Sequence, residues 1–126
     1  MARAAWHAFT EGQPAFAAKG EWIIVELDRD RRHRIQVIQH EDGWELSGRA
    51  CTPEQLSDAN LENQDLWFRN RSLDLVGYVV GADGHVWVTA WLPFAGLTAA
   101  EFRFAAREVA IEADRFEFHV TGLALL

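Results

Sequence analysis

Leu73-Asp74-Leu75-Val76-Gly77-Tyr78-Val79-Val80-Gly81-Ala82-Asp83-Gly84-His85-Val86-Trp87-Val88-Thr89-Ala90-Trp91-Leu92-Pro93 is the stretch that decides the fold. Two runs of β-forming residues flank an Asp-Gly pair, which favours the left-handed backbone of a tight hairpin. Pro93 has no N–H to give to a ladder and closes the second strand. Just beyond it, Thr98 opens a helix with Glu101 three positions on. In this capping box the Thr hydroxyl meets one free N–H and the Glu carboxylate reaches back to another. The spacing predicts a helix of about 20 residues, roughly 30 Å long. Strand, turn, strand and capped helix follow in order, and no catalytic or metal motif falls among them.

Outward from this stretch toward the C-terminus, Phe102, Ala105, Ala106, Val109, Ala113, Phe116 and Val120 recur at helical spacing and form one stripe. Its small members let the helix lie close to a sheet. Phe104, Ile111 and Phe118 fall off the stripe, Gly122 is the expected C-cap, and Leu123 to Leu126 form an apolar tail expected to dock. Toward the N-terminus, three segments read as an antiparallel meander: Glu21 to Leu27, Arg34 to His40 and Trp44 to Ala50. Polar turns at Asp28 to His33 and at Glu41-Asp42-Gly43 separate them. Thr52-Pro53-Glu54-Gln55 starts a short helix expected to end near Glu62, with Thr as N-cap and Pro at the first turn. Asn63 to Ser72 reads as a connector. Ala2 to Lys19 reads as a helix with Ala5, Phe9, Gly12 and Phe16 on one stripe and Trp6 beside it, disturbed at Pro14 and stopped at Gly20.

A chain of 126 residues makes one domain and can bury a core without covalent staples. The net charge of −7 disfavours direct binding to nucleic acid or to an anionic membrane, and suits a basic protein partner such as a nucleic-acid-binding protein. The single cysteine, Cys51, permits no internal disulfide, which fits a reducing cytoplasm. Neither a signal-peptide pattern nor a run of about 20 apolar residues is legible. Six Trp and eight Phe exceed what so small a core usually asks for, and surplus aromatics gather at interfaces.

The element order α-β-β-β-α-β-β-α on a small acidic chain resembles the YbjN family. The residues that carry the resemblance are Trp67-Phe68-Arg69-Asn70, Ala82-Asp83-Gly84-His85-Val86, Leu92-Pro93-Phe94-Ala95-Gly96-Leu97-Thr98 and Ala113-Asp114-Arg115-Phe116-Glu117. It implies an α+β fold like that of type III secretion chaperones, with a five-stranded antiparallel sheet carrying helices. It also implies homodimerisation, and protein-binding or stress-regulatory work without catalysis. The likeness hands over no functional side chain.

Strand alternation supplies the candidate site. Val86, Val88, Ala90 and Leu92 point to one side of their strand, and Trp87 and Trp91 to the other. Trp22 and Ile24 against Ile23 and Val25 repeat the theme. A sheet that is apolar on both sides is more than its helices can cover, so an interface for a twin subunit or a client is expected at Trp22, Ile24, Trp67, Phe68, Tyr78, Trp87 and Trp91.

Other features read as ordinary structure. The basic run Arg29 to Arg34 could grip phosphate or an acidic partner but reads first as a solvated turn, and Cys51 reads as a small half-buried residue. His7, His33, His40, His85 and His119 lack metal-ligand spacing, and the many carboxylates show no acid/base couple. No cofactor is expected. The function expected is a non-catalytic, homodimeric, chaperone-like or regulatory adaptor. The alternative is a small-molecule binder or minor enzyme with a pocket between helix and sheet.

Overall fold

The structure, a computed structural model, describes residues 6–28, 30–70, 73 and 75–125, apart from the side chains of Asn63, Phe68 and residues 122–125. Six strands form one sheet in the order β1-β2-β3-β4-β6-β5, every neighbour antiparallel. They are β1 (Phe16–Lys19), β2 (Trp22–Glu26), β3 (Arg32–Gln39), β4 (Gly43–Cys51), β5 (Gly77–Val80) and β6 (Val86–Pro93). Three helices accompany them: α1 (Pro53–Asp58), α2 (Asn63–Asn70) and α3 (Ala99–Leu125).

The sequence reading anticipates five strands, and the sixth comes from a segment expected to be helical. Trp6 precedes a short 3-10 turn at His7–Phe9, and Phe16–Lys19 is a strand paired with Trp22–Val25. Gly12 at φ +71° and Pro14 end the helical run, and Gly20 at φ +64° turns the chain between the paired Lys19 and Trp22. That two-residue hairpin connection outweighs the helix propensity of Ala17, Ala18 and Lys19. Ala5, placed on the expected helical stripe, lies outside the described residues.

Two further expectations change. The first short helix ends at Asp58, and the connector holds a helix of its own, α2, which buries Leu66. The last helix is 27 residues long and continues through Gly122 instead of ending there. The expected docking of the 123–126 tail lies outside the described side chains.

Local chemistry forms the rest as anticipated. Thr52 and Gln55 make a reciprocal capping box on α1, and Thr98 and Glu101 make the same arrangement before α3. In the β5–β6 turn, Gly84 at φ +85° gives its N–H to the Gly81 carbonyl at 3.0 Å, and the Asp83 carboxylate accepts from the His85 N–H at 3.0 Å. That backbone hydrogen bond holds the Asp83 carboxyl below its ordinary pKa.

α3 lies across β3, β4 and β6, and the core sits between. The stripe Phe102, Ala105, Ala106, Val109, Ala113, Phe116 and Val120 is buried throughout. It meets Ile23 and Val25 of β2, Ile35 and Val37 of β3, Trp44, Leu46 and Ala50 of β4, and Val86, Val88, Ala90 and Leu92 of β6. Burial of each large side chain removes apolar surface worth about 1.5–3 kcal/mol. Gly48 marks the closest approach: a Cβ there would stand 3.2 Å from Ile35 Cγ2 and 3.3 Å from both Ala113 Cβ and Val109 Cγ1. Phe104 and Phe118, off the stripe, are exposed on the outer side of α3.

Candidate interaction surface on the sheet

The registers place a second set of side chains on the side of the sheet away from α3. Trp22 pairs with Gln36, Gln36 with Ser47, and Ser47 with Thr89. Beside this row, Ile24 pairs with Arg34, and Arg49 with Trp87, which in turn pairs with Val79. A third row joins Ile38, Glu45 and Trp91. Among the described residues no helix packs over this face: α1 contacts α3, and α2 contacts β5. Trp91 is 49% exposed and Val79 48%, whereas Trp22, Ile24 and Trp87 are half-buried by their neighbours on the twisted sheet. The His40 imidazole meets the Glu45 carboxylate at 2.9 Å and packs its ring edge-on to Trp91.

Four of the seven residues expected at an interface, Trp22, Ile24, Trp87 and Trp91, therefore share one face. Of the other three, Tyr78 lies on the opposite side. Trp67 is 58% exposed on α2, the helix that contacts β5, and the Phe68 side chain lies outside the described residues. Tyr78 is a correction: its side chain points to the α3 side and is buried. Its ring packs on Phe116, and its hydroxyl donates to Glu112 Oε2 at 2.5 Å. Burial, then the hydrogen bond to the Glu112 carboxylate, push the Tyr78 pKa far above its ordinary value. A residue two positions along a strand from an exposed one would share its face, but Tyr78 alternates with Val79 and falls on the opposite side.

Sequence reasoning missed the roles of Asn70 and Arg49, and it weighed Arg34 only as the end of a basic turn, whereas Arg34 lies within β3. The Asn70 amide accepts from the Tyr78 N–H at 2.6 Å and donates to the Tyr78 carbonyl at 3.1 Å, so one side chain supplies the ladder bonds that edge strand β5 lacks. Arg34 lays its guanidinium over the Trp22 ring, 4.2 Å from the centroid. The resemblance quoted Asn70 without a role, and only the register could set Arg34 beside Arg49.

Next to Arg34 and Arg49, one group of donors converges where α3 crosses the start of β3. One ligand atom each from His33, Asp114 and Glu117 falls within 4.8 Å of the others, a spacing that a cation could use. Arg31 already holds Asp114 at 2.9 Å, and the His33 ring uses Nε2 to donate to the Arg49 carbonyl at 2.9 Å. The contacts present here strap helix to sheet. Cys51 is buried close by. Desolvation, followed by the charge of Glu117, pushes its thiol from 9.0 up to about 11. A thiol so held is a poor nucleophile.

The open face, the covered face and the long terminal helix define a class of α+β protein: one antiparallel layer dressed on one side only. The crystal structure of the Yersinia pestis type III secretion chaperone SycH, in complex with a stable fragment of YscM2, has this fold, with a TM-score of 0.59. The match covers 92% of this chain and 99% of that chain at 10% sequence identity, so the likeness is one of fold. No family model matches the sequence, and no curated protein matches it. No helix among the described residues is long and apolar enough to cross a membrane.

Proposed function

We propose that this chain is a non-catalytic, chaperone-like or regulatory adaptor that binds a protein client and works as a homodimer. The observation that carries the proposal is the undressed sheet face, with Trp22, Ile24, Trp87 and Trp91 gathered on one side of six strands. Exposed aromatic side chains on a rigid sheet are well suited to anchor a partner, because burying them gains apolar area at little entropic cost. The fold it shares with SycH, a chaperone crystallised with a protein fragment, points the same way. The YbjN resemblance and a cytoplasmic location belong to this proposal as well.

Light scattering at two concentrations tests the assembly. The wild type is expected to run at twice the monomer mass at both, and Trp87→Glu/Trp91→Glu is expected to lose either the dimer or the client. A wild type that stays monomeric at both concentrations, together with a double variant that retains every captured protein, contradicts the proposal.

One observation favours a second reading, a small-ligand binder. A recess of about 850 Å³ opens beside Trp6, His7, Gly20, Val37 and Trp44. Among the described residues the buried Trp44 indole N–H has no hydrogen-bond partner, so it is a donor that a ligand carbonyl or carboxylate could satisfy. A metabolite that raises the melting temperature of wild type but not of Trp44→Phe would favour this reading.

A further inference from the structure

The whole chain is acidic, yet the middle of its undressed face is not. Arg34 of β3 and Arg49 of β4 stand on adjacent strands, one step beyond the paired Ile35 and Gly48. Ile24 and Trp22 of β2 lie on one side of them and Trp87 of β6 on the other. Trp22, Arg34, Arg49 and Trp87 line a recess of about 190 Å³ together with Arg32, His33 and Glu117. Among the described residues neither Arg34 nor Arg49 is within ion-pair distance of a carboxylate. Arg34 has only the Trp22 ring beneath it, and Arg32 has Glu26 as its cross-strand neighbour.

Two like charges on adjacent strands repel, and among the described residues no carboxylate is within ion-pair distance of either, Glu117 lining the recess without pairing to them. An anion placed between them would do so. Guanidinium groups match a carboxylate with paired, charge-assisted hydrogen bonds, and the flanking indoles would exclude water from those bonds. We infer that this recess, resting on the protein-binding reading above, takes an aspartate or glutamate side chain of an extended partner segment whose apolar neighbours pack on Trp22, Ile24 and Trp87. The partner at this face is thus locally acidic, although the chain's net charge of −7 alone suggests a basic one. That net charge also selects among anions. A nucleic-acid strand brings a phosphate at every step and needs many cations, and here two arginines sit in an acidic molecule. A peptide can bring one carboxylate among apolar residues.

Titration calorimetry with a capped nonapeptide of alternating leucine and glutamate, its glutamine twin and a nine-residue oligothymidylate tests the inference. The wild type is expected to bind the glutamate peptide at least about tenfold more tightly than the twin. Arg34→Gln/Arg49→Gln should lose that preference and still bind both peptides weakly through the indoles. Arg34→Lys/Arg49→Lys, which keeps the charge and loses the fork, should retain part of it and serves as the readout if the glutamine variant does not fold. Equal affinity of the wild type for the two peptides overturns the acidic recess and leaves the protein-binding face standing. No affinity for either peptide overturns both, and tighter binding of the oligothymidylate overturns the choice of partner.

Discussion

At the scale of single residues, two buried groups set measurable behaviour. Cys51 is 2% exposed, and its thiol is raised from 9.0 to about 11. At pH 8 its thiolate fraction should be about a hundredfold below that of an ordinary cysteine, so alkylation by iodoacetamide should be slow in buffer and fast in urea. The sign of the pH effect follows. A thiol whose folded pKa is raised contributes stability that is intact below about 9 and is lost as pH climbs toward 11, and Tyr78 shifts in the same direction. The urea midpoint should therefore fall between pH 8 and pH 11, and less so in Cys51→Ala. Glu112 is the second case. It is buried on the α3 face, where Tyr78 donates to it and Arg115 approaches at 3.5 Å. Tyr78→Phe keeps the ring against Phe116 but deprives the carboxylate of its donor, at about 1–3 kcal/mol, measurable by urea unfolding. Periodicity placed Tyr78 among candidate surface residues. Its hydroxyl partner is 34 positions away in the chain and could be seen only in the fold.

At the scale of elements, the contact of α3 with the sheet depends on small side chains on both partners. Ala105, Ala106, Ala110 and Ala113 on the helix and Gly48 on β4 let the layers approach. Gly48→Val would press a branched side chain against Ala113 and Val109, which the packed interior cannot absorb, and should cost about 1–3 kcal/mol. Gly48→Ala should cost less, and the two melting temperatures check the order. The capping boxes and the Asp-Gly hairpin were legible in advance because each is local, with all its partners within a few residues. The first strand was not. Phe16–Lys19 is short and rich in helix-formers, and its strand state is set by the ladder with β2 that Gly20 makes possible. Helix α2 was hidden for a similar reason: it is eight residues long and mostly polar, and it is held by Leu66 in the core and by Asn70 on the β5 edge.

At the scale of the whole molecule, α3 covers one side of a six-stranded sheet, and among the described residues no helix packs on the other. Strands β2, β3, β4 and β6 therefore serve two environments, with inward residues in the core and outward ones on the open face. Because Trp87 and Trp91 lie outside the core, Trp87→Glu/Trp91→Glu should melt within a few degrees of the wild type while losing association. A collapse of the melting temperature would show that these indoles hold the monomer together. Retained stability with lost assembly separates a binding surface from a structural one.

The sequence by itself determined the strand alternation, the buried helical stripe, the capped starts of α1 and α3 and the fact that the sheet carries apolar side chains on both sides. These follow from periods of two and 3.6 residues and from side chains that bond to their own neighbourhood. Only the tertiary structure decided that Phe16–Lys19 is a strand, that Tyr78 faces inward, and that Arg34 and Arg49 stand together between Trp22 and Trp87. Those outcomes depend on which strands pair and in which register, a choice made by contacts between distant parts of the chain that no local period encodes.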